Sequence, residues 1–144
     1  MIIRRATPAD AKALRGVVEA AYAPFVALDL PPVADGLDDD IATHNVWVAD
    51  GGTVIGGIVV VQGVDAHIAN LAVHPDAGGR GIGQALIAQA CDAARAAGHD
   101  TIHLATHIKM TGTQAFYHKL GWEEGRQEGN KVYFSFQLQR KDTP

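Results

Sequence analysis

Apolar and polar positions along the chain switch between a period near two and a period near 3.6, and the switches mark the elements. Ile2 and Ile3 open a short strand. Thr7-Pro8-Ala9-Asp10 predicts a helix start. Thr7 can cap, Pro8 suits the first helical position, and Asp10 favours the positive end of the dipole. Leu14, Val17, Val18 and Ala21 then give that helix one apolar face. Pro24, Pro31 and Pro32 forbid one regular helix over 23–35, which reads as a loop before a short helix near 37–43. Val46 to Ala49 predicts a strand, Gly51-Gly52 a turn, and Val54 to Val61 a second strand hairpinned to the first. The unbroken apolar run of that second strand places it centrally, with both faces covered.

The second half continues the pattern. His67 to Val73 predicts a strand ended by Pro75, and Gly78 to Gly83 a glycine-rich turn. A long helix follows over about 82–97, with Ile82, Leu86, Ala90, Ala93 and Ala97 on one stripe. Gly98 sits where a left-handed cap belongs. Thr101 to Thr106 is a strand, and residues 112–120 a short helix ended by Gly121. Two closing strands, about 122–126 and 131–138, flank a turn at Gly129-Asn130, and Val132, Phe134, Phe136 and Leu138 alternate with polar residues. The order β-α-α-β-β-β-α-β-α-β-β predicts an α/β fold, a mixed sheet with helices packed on it. No repeat or linker interrupts it, so residues 1–144 read as a single domain.

Composition narrows the partners. The formal charge of −4 argues against nucleic acid, which calls for a basic footprint. With one cysteine, Cys91, no internal disulfide can form. The start Met1-Ile2-Ile3-Arg4-Arg5 is not a signal peptide, and no apolar stretch is long enough to span a membrane. A cytoplasmic location is the expectation.

The chemistry concentrates in Gly78-Gly79-Arg80-Gly81-Ile82-Gly83, four glycines in six residues between a strand and a helix. The first turn of a helix leaves backbone N–H groups without internal partners, and with the helix dipole they attract anions. Glycines let the backbone approach a phosphate closely, and successive amides form a concave nest. A P-loop would need Lys-Ser/Thr after the last glycine, where Gln84-Ala85 stands. A dinucleotide fingerprint fails at Gln84 or at Leu86, depending on register.

The run Ile68-Ala69-Asn70-Leu71-Ala72-Val73-His74-Pro75, the glycine turn and the helix together resemble the GNAT superfamily of acyl-CoA-dependent N-acetyltransferases. Gly81 and Gly83 match the glycines of its pyrophosphate loop, while Gly78 stands where the family has Arg or Gln. A second stretch, Thr113-Gln114-Ala115-Phe116-Tyr117-His118-Lys119-Leu120-Gly121-Trp122, resembles the family's late helix, with Met110 and Thr113 departing from its usual Asn and Ala. The resemblance implies a mixed, mostly antiparallel sheet of about seven strands flanked by about four helices. It implies acetyl-CoA as co-substrate and transfer to a small-molecule or peptide amine by direct attack in a ternary complex. Backbone groups of Leu71, Ala72 and Val73 would run along the pantetheine arm, on a strand the family usually bulges. Amides of Gly78, Gly79, Arg80, Gly81, Ile82, Gly83 and Gln84 would hold the pyrophosphate. Tyr117 falls on the family's general acid, and a phenol protonated at neutral pH suits that role. His67 stands where some members carry a glutamate base; Asp65 and water are the alternatives. The family's frequent dimers leave a homodimer open.

Other residues admit blander readings. His103 and His107 lie four apart without a further ligand, so no metal site is expected. Asp38-Asp39-Asp40 is either a solvated helix start or a lure for a cationic amine. Tyr22, Phe25, Leu28 and Leu30 occupy the family's variable substrate loop. Cys91 reads as a small buried residue of the long helix. Two rivals stay open: a non-enzymatic acyl-CoA sensor and a nucleotide-binding domain.

Overall fold

The computed structural model describes residues 1–28 and 34–138. Among these residues the elements are, in chain order, β1 (Ile2–Arg5), α1 (Ala11–Tyr22), α2 (Leu37–Thr43), β2 (Asn45–Asp50), β3 (Val54–Gln62), β4 (Ala66–Val73), α3 (Ile82–Ala96), β5 (Thr101–His107), α4 (Thr111–Lys119), β6 (Glu123–Glu128) and β7 (Lys131–Gln137). After α1, where the sequence predicts a loop, Ala23–Leu28 forms a 3-10 segment. Pro24 falls in its first turn, where the missing N–H costs nothing. Leu30, Pro31 and Pro32 lie outside the described residues.

The strands form one sheet of order β1-β2-β3-β4-β5-β7-β6. Every pairing is antiparallel except β4 with β5. The element order predicts the mixed sheet, and the GNAT resemblance its seven strands and mostly antiparallel pairing; both hold. β3 is central, and its residues from Gly56 to Val60 are buried. On one face, α3 and α4 pack Ile82, Leu86 and Tyr117 with Ile58, Val60 and Phe134. On the other, α1 and α2 pack Leu14, Val17, Val18 and Leu37 with Val46 and Val59.

Two adjacent glycines let both layers close on β3. A Cβ at Gly56 would stand 3.1 Å from Ile82 Cγ2 and 3.2 Å from Leu86 Cδ1. One at Gly57 would collide with Leu14 Cδ1. Successive strand residues face opposite ways, so the pair admits α3 from one side and α1 from the other. The stripe on α3 differs from the predicted one. Its buried residues are Ile82, Leu86, Ile87, Ala90, Cys91 and Ala94, with Ala93 at the margin and Ala97 exposed past the helix end.

Arg4 ties three elements together. Its guanidinium donates to both Asp10 carboxylate oxygens, at 2.8 and 2.9 Å, and to Asp50 at 3.1 Å. Asp10 Oδ2 also accepts from Thr7 N–H at 2.7 Å. Asp10 therefore answers mainly to Arg4 and the cap rather than to the helix dipole, and Arg4 holds its carboxyl well below the ordinary 3.8.

Two consequences are measurable in denaturant titrations. Gly57→Ala overpacks Leu14 and should destabilise the fold by about 1–3 kcal/mol. Asp10→Asn removes a charged partner of Arg4 and should cost about 1–2 kcal/mol at pH 7. Because the folded state depresses the Asp10 pKa, its contribution is complete above the unfolded value. The contribution disappears as pH falls through the acid range. The gap between wild type and Asp10→Asn should therefore be full above about pH 4 and shrink progressively as pH falls below it. A gap at about pH 2.5 as large as the gap at about pH 7 contradicts the assignment.

Candidate functional site

The sheet opens between β4 and β5. These parallel strands pair only at Ala66↔Ile102 and His67↔His103. Immediately beyond, Asn70 pairs with Val59 of β3 and Ile68 with Val60, so Ala69 is an extra residue in β4. A bulge of this kind bends its strand, and here β4 stays with β3 while parting from β5. The bulge also resets the side-chain alternation. Ala66 and Ile68 before it, and Leu71 and Val73 after it, all meet the α3–α4 core.

The parting exposes a backbone edge. His74 N–H donates to Ile55 O of β3 at 2.8 Å. Amide and carbonyl groups of successive strand residues point to opposite sides. Ala72 therefore faces β3, while the N–H and C=O groups of Leu71 and Val73 face the opening. Both residues are half-buried, so their polar groups call for a partner.

The glycine loop stands at the end of this edge. Gly79 and Gly81 adopt left-handed φ values of 78° and 73°, and a Cβ on either would meet nothing within 4 Å. The Gly78 amide is spent internally on Pro75 O at 3.3 Å, so the expected nest begins one residue later. Among the described residues, amides 79–84 donate to no backbone carbonyl. Arg80 is exposed, and the Ile82 side chain is buried in the core, leaving only its amide to the loop. Gly83 has a second role: a Cβ there would lie 3.3 Å from Phe116 Cζ, so its bareness seats α4 against α3.

Tyr117 lies on α4, only 4% exposed. Its ring is held edge-on by Phe116 at 5.4 Å and Trp122 at 5.5 Å, and tilted against Phe134 at 5.9 Å. Gly121, at φ 90°, ends the helix, and Trp122 N–H returns to Tyr117 O at 3.0 Å. Among the described residues its hydroxyl makes no hydrogen bond. Burial raises its pKa well above the ordinary 10.0, and the nearby Tyr22 phenol raises it further. It stays protonated across the neutral range.

The structure gathers the loop, the β4 edge and α4 around one opening, and sets other residues apart. His67 is in the last pair before the strands part, on the opposite face from Ala66 and Ile68. It lies roughly 10–13 Å below Leu71 at strand spacing. Met110 is buried, within 3.9 Å of Thr106 Oγ1. Gln114, not singled out from the sequence, ties α4 to the end of β5 by donating to His107 O at 3.1 Å and Ile108 O at 2.8 Å. Its place in a helix facing polar loop carbonyls was the available signal. Burial pushes the Cys91 thiol up to about 11, which keeps it an unreactive core residue. Among the described residues no three His, Cys, Asp or Glu side chains cluster as metal ligands, and no helix is long and apolar enough to cross a membrane.

This geometry has known counterparts. A family model described as "Acetyltransferase (GNAT) domain" matches residues 42–124. No curated protein matches the chain in sequence. Among solved structures, the chain is similar to PaiA N-acetyltransferase from Thermoplasma acidophilum in complex with coenzyme A. That match has TM-score 0.82 and 18% identity over 94% of this chain and 98% of that one. It is also similar to yncA from Salmonella typhimurium with its cofactor acetyl-CoA, at TM-score 0.75 and 20% identity, covering 100% and 97%. An acetyltransferase of the GNAT family from Staphylococcus aureus Mu50 matches at TM-score 0.82 and 13% identity, covering 96% and 99%. At these identities the structural matches speak for the fold.

Proposed function

The chain belongs to the GNAT acetyltransferase family, whose model matches more than half of it, and on that premise we propose that it transfers an acetyl group from acetyl-CoA to a primary amine in a ternary complex. The observation that carries this reading is the free edge of β4 leading into the uncommitted amides 79–84. An edge of unpaired backbone groups accepts an extended amide-bearing arm as it would another strand, and the amides suit its pyrophosphate.

In this mechanism acetyl-CoA supplies the activated thioester. Leu71 and Val73 align the pantetheine arm, and the Val73 N–H donates to the carbonyl oxygen as charge develops there. The Tyr117 hydroxyl gives its proton to the departing sulfur. An alkylammonium of pKa near 10 is only about one part in a thousand neutral at pH 7, a cost of roughly 4 kcal/mol. His67 takes up that proton through intervening water, given its distance from Leu71. A non-enzymatic sensor would use the same edge and loop but release no thiol in response to an amine.

Two sets of variants test the reading. Acetyl-CoA at 100 times its Kd should stabilise the protein by about 2.7 kcal/mol in a thermal-shift assay. Gly81→Asp should abolish that shift, whereas Gly81→Asn, equally suited to left-handed backbone, should keep most of it. Equal shifts for both variants remove the nest from the mechanism.

Tyr117→Phe should lower turnover about 10²–10⁴-fold with little change in the Kd for acetyl-CoA. His67→Ala should erase the rising acid limb of the pH–rate profile. Full turnover in Tyr117→Phe returns that ring to a packing role, and an unchanged profile in His67→Ala moves the base to Asp65 or to water.

A further inference from the structure

The two strands that part to form the opening end in the same way. β4 runs out at Val73 and is followed by His74, and β5 runs out at His107. Because these strands are parallel, both histidines lie at the same end of the sheet, beyond the last pair His67↔His103. Both are half-buried, and each ring accepts a hydrogen bond from the backbone two residues ahead. Asp76 N–H donates to His74 Nδ1 at 3.1 Å, and Lys109 N–H donates to His107 Nδ1 at 3.0 Å. An Nδ1 that accepts leaves the proton of the neutral ring on Nε2. Asn, Asp, Ser and Thr usually make this local bond, and at both lips an imidazole takes their place. Each histidine carbonyl closes its turn a second time. Ala77 N–H donates to His74 O at 2.9 Å, and Met110 N–H to His107 O at 3.0 Å.

The turns carry the two halves of the site. The first is fastened to β3 by His74 N–H on Ile55 O and runs into the glycine loop through Gly78 N–H on Pro75 O. The second runs into α4, the helix of Tyr117. Met110 stands at the N-cap of that helix and makes no side-chain cap. The start of α4 is held instead by His107 O, which accepts from Met110 N–H and from the Gln114 side-chain amide at 3.1 Å.

We propose that His74 and His107 are the positioning residues of the two lips, His74 setting the glycine loop for the pyrophosphate and His107 setting α4 for Tyr117. These roles rest on the acetyl-transfer reading above. No bond is made or broken at either ring. Without the His74 ring the Asp76 amide is released, the turn at 75–78 loosens, and amides 79–84 lose their common aim. Without the His107 ring the Lys109 amide is released, and α4 can shift along the end of β5 and carry the Tyr117 hydroxyl away from the sulfur. The two losses therefore fall on different quantities, cofactor affinity for His74 and rate for His107. Asn at either position keeps a side-chain oxygen within reach of the same amide, whereas Ala removes the acceptor.

The test uses the full chain and its Ala and Asn variants at both positions. Acetyl-CoA binding is measured by calorimetry, and thiol release is followed with n-butylamine, 2-phenylethylamine and spermidine, taking kcat from the fastest. His74→Ala should raise the Kd for acetyl-CoA about tenfold, with kcat within about threefold. His107→Ala should show the reverse split, a fall in kcat of about tenfold with Kd within about twofold. His74→Asn and His107→Asn should return to within about threefold of wild type. In hydrogen exchange the Asp76 and Lys109 amides should be protected in wild type and in the Asn variants, and exchange freely in the Ala variants. A wild-type Kd in His74→Ala, or a wild-type kcat in His107→Ala, overturns the role of that residue and leaves acetyl transfer standing. So does an Asn variant that behaves like its Ala counterpart, or an Ala variant that moves Kd and kcat alike. Failure of the wild-type chain to bind acetyl-CoA overturns the acetyl-transfer reading and both roles. Absence of release with all three amines, despite binding, overturns transfer to simple amines and the His107 role with it, and the Kd then decides His74.

Discussion

The early end of the pairing between β4 and β5 governs the rest of the molecule. Parallel strands normally continue their ladder until a loop intervenes, because each buried N–H and C=O left alone costs about as much as a lost hydrogen bond. Here the ladder stops after His67↔His103, and the extra residue Ala69 bends β4 away. The result is a half-buried polar edge in the middle of a seven-stranded sheet. Such an edge on the rim would invite another chain. Placed inside a cleft, it is the edge on which the proposed docking of an amide-bearing arm rests.

A gap through a sheet weakens it, and the surrounding structure compensates. Gly56 and Gly57 draw α3 and α1 onto opposite faces of β3, next to the bent strand. Arg4 holds the start of α1 to β1 and to the end of β2. On the far side, β5 has β7 along its whole length, and Gln114 fastens α4 to the turn that follows β5. Each half of the sheet is thus braced by its own contacts.

The electrostatics of the site follow the same economy. The chain carries a net negative charge, and Arg80 is the one cation between Gly78 and Gln84. In the proposed function, attraction for a pyrophosphate would come mainly from the amide dipoles of the glycine loop. Burial keeps the Tyr117 phenol on α4 neutral. A neutral donor suits the proposed reaction, in which an uncharged amine must meet a thioester, since a fixed charge at that point would favour the unreactive ammonium or the free thiolate.

Much of this was legible along the chain. The periods of apolar residues and the Gly and Pro punctuation located every strand and helix, because those signals are local. Gly81, Gly83 and Tyr117 were marked by motif, and Gly98 and Gly121 by their place after helical runs. The spent amide of Gly78, the 3-10 segment at Ala23–Leu28 and the true buried face of α3 were not legible. Each depends on what packs against a residue rather than on its neighbours in sequence. The bulge is the clearest case. In Ile68-Ala69-Asn70-Leu71 nothing distinguishes the unpaired residue, because a bulge is a mismatch between two registers and β3 holds one of them. The sequence by itself determined which segments become strands and helices and where the glycines free the backbone. Only the tertiary structure decided which backbone groups of β4 face the opening and which side chains pack together, because both are relations between segments far apart in the chain.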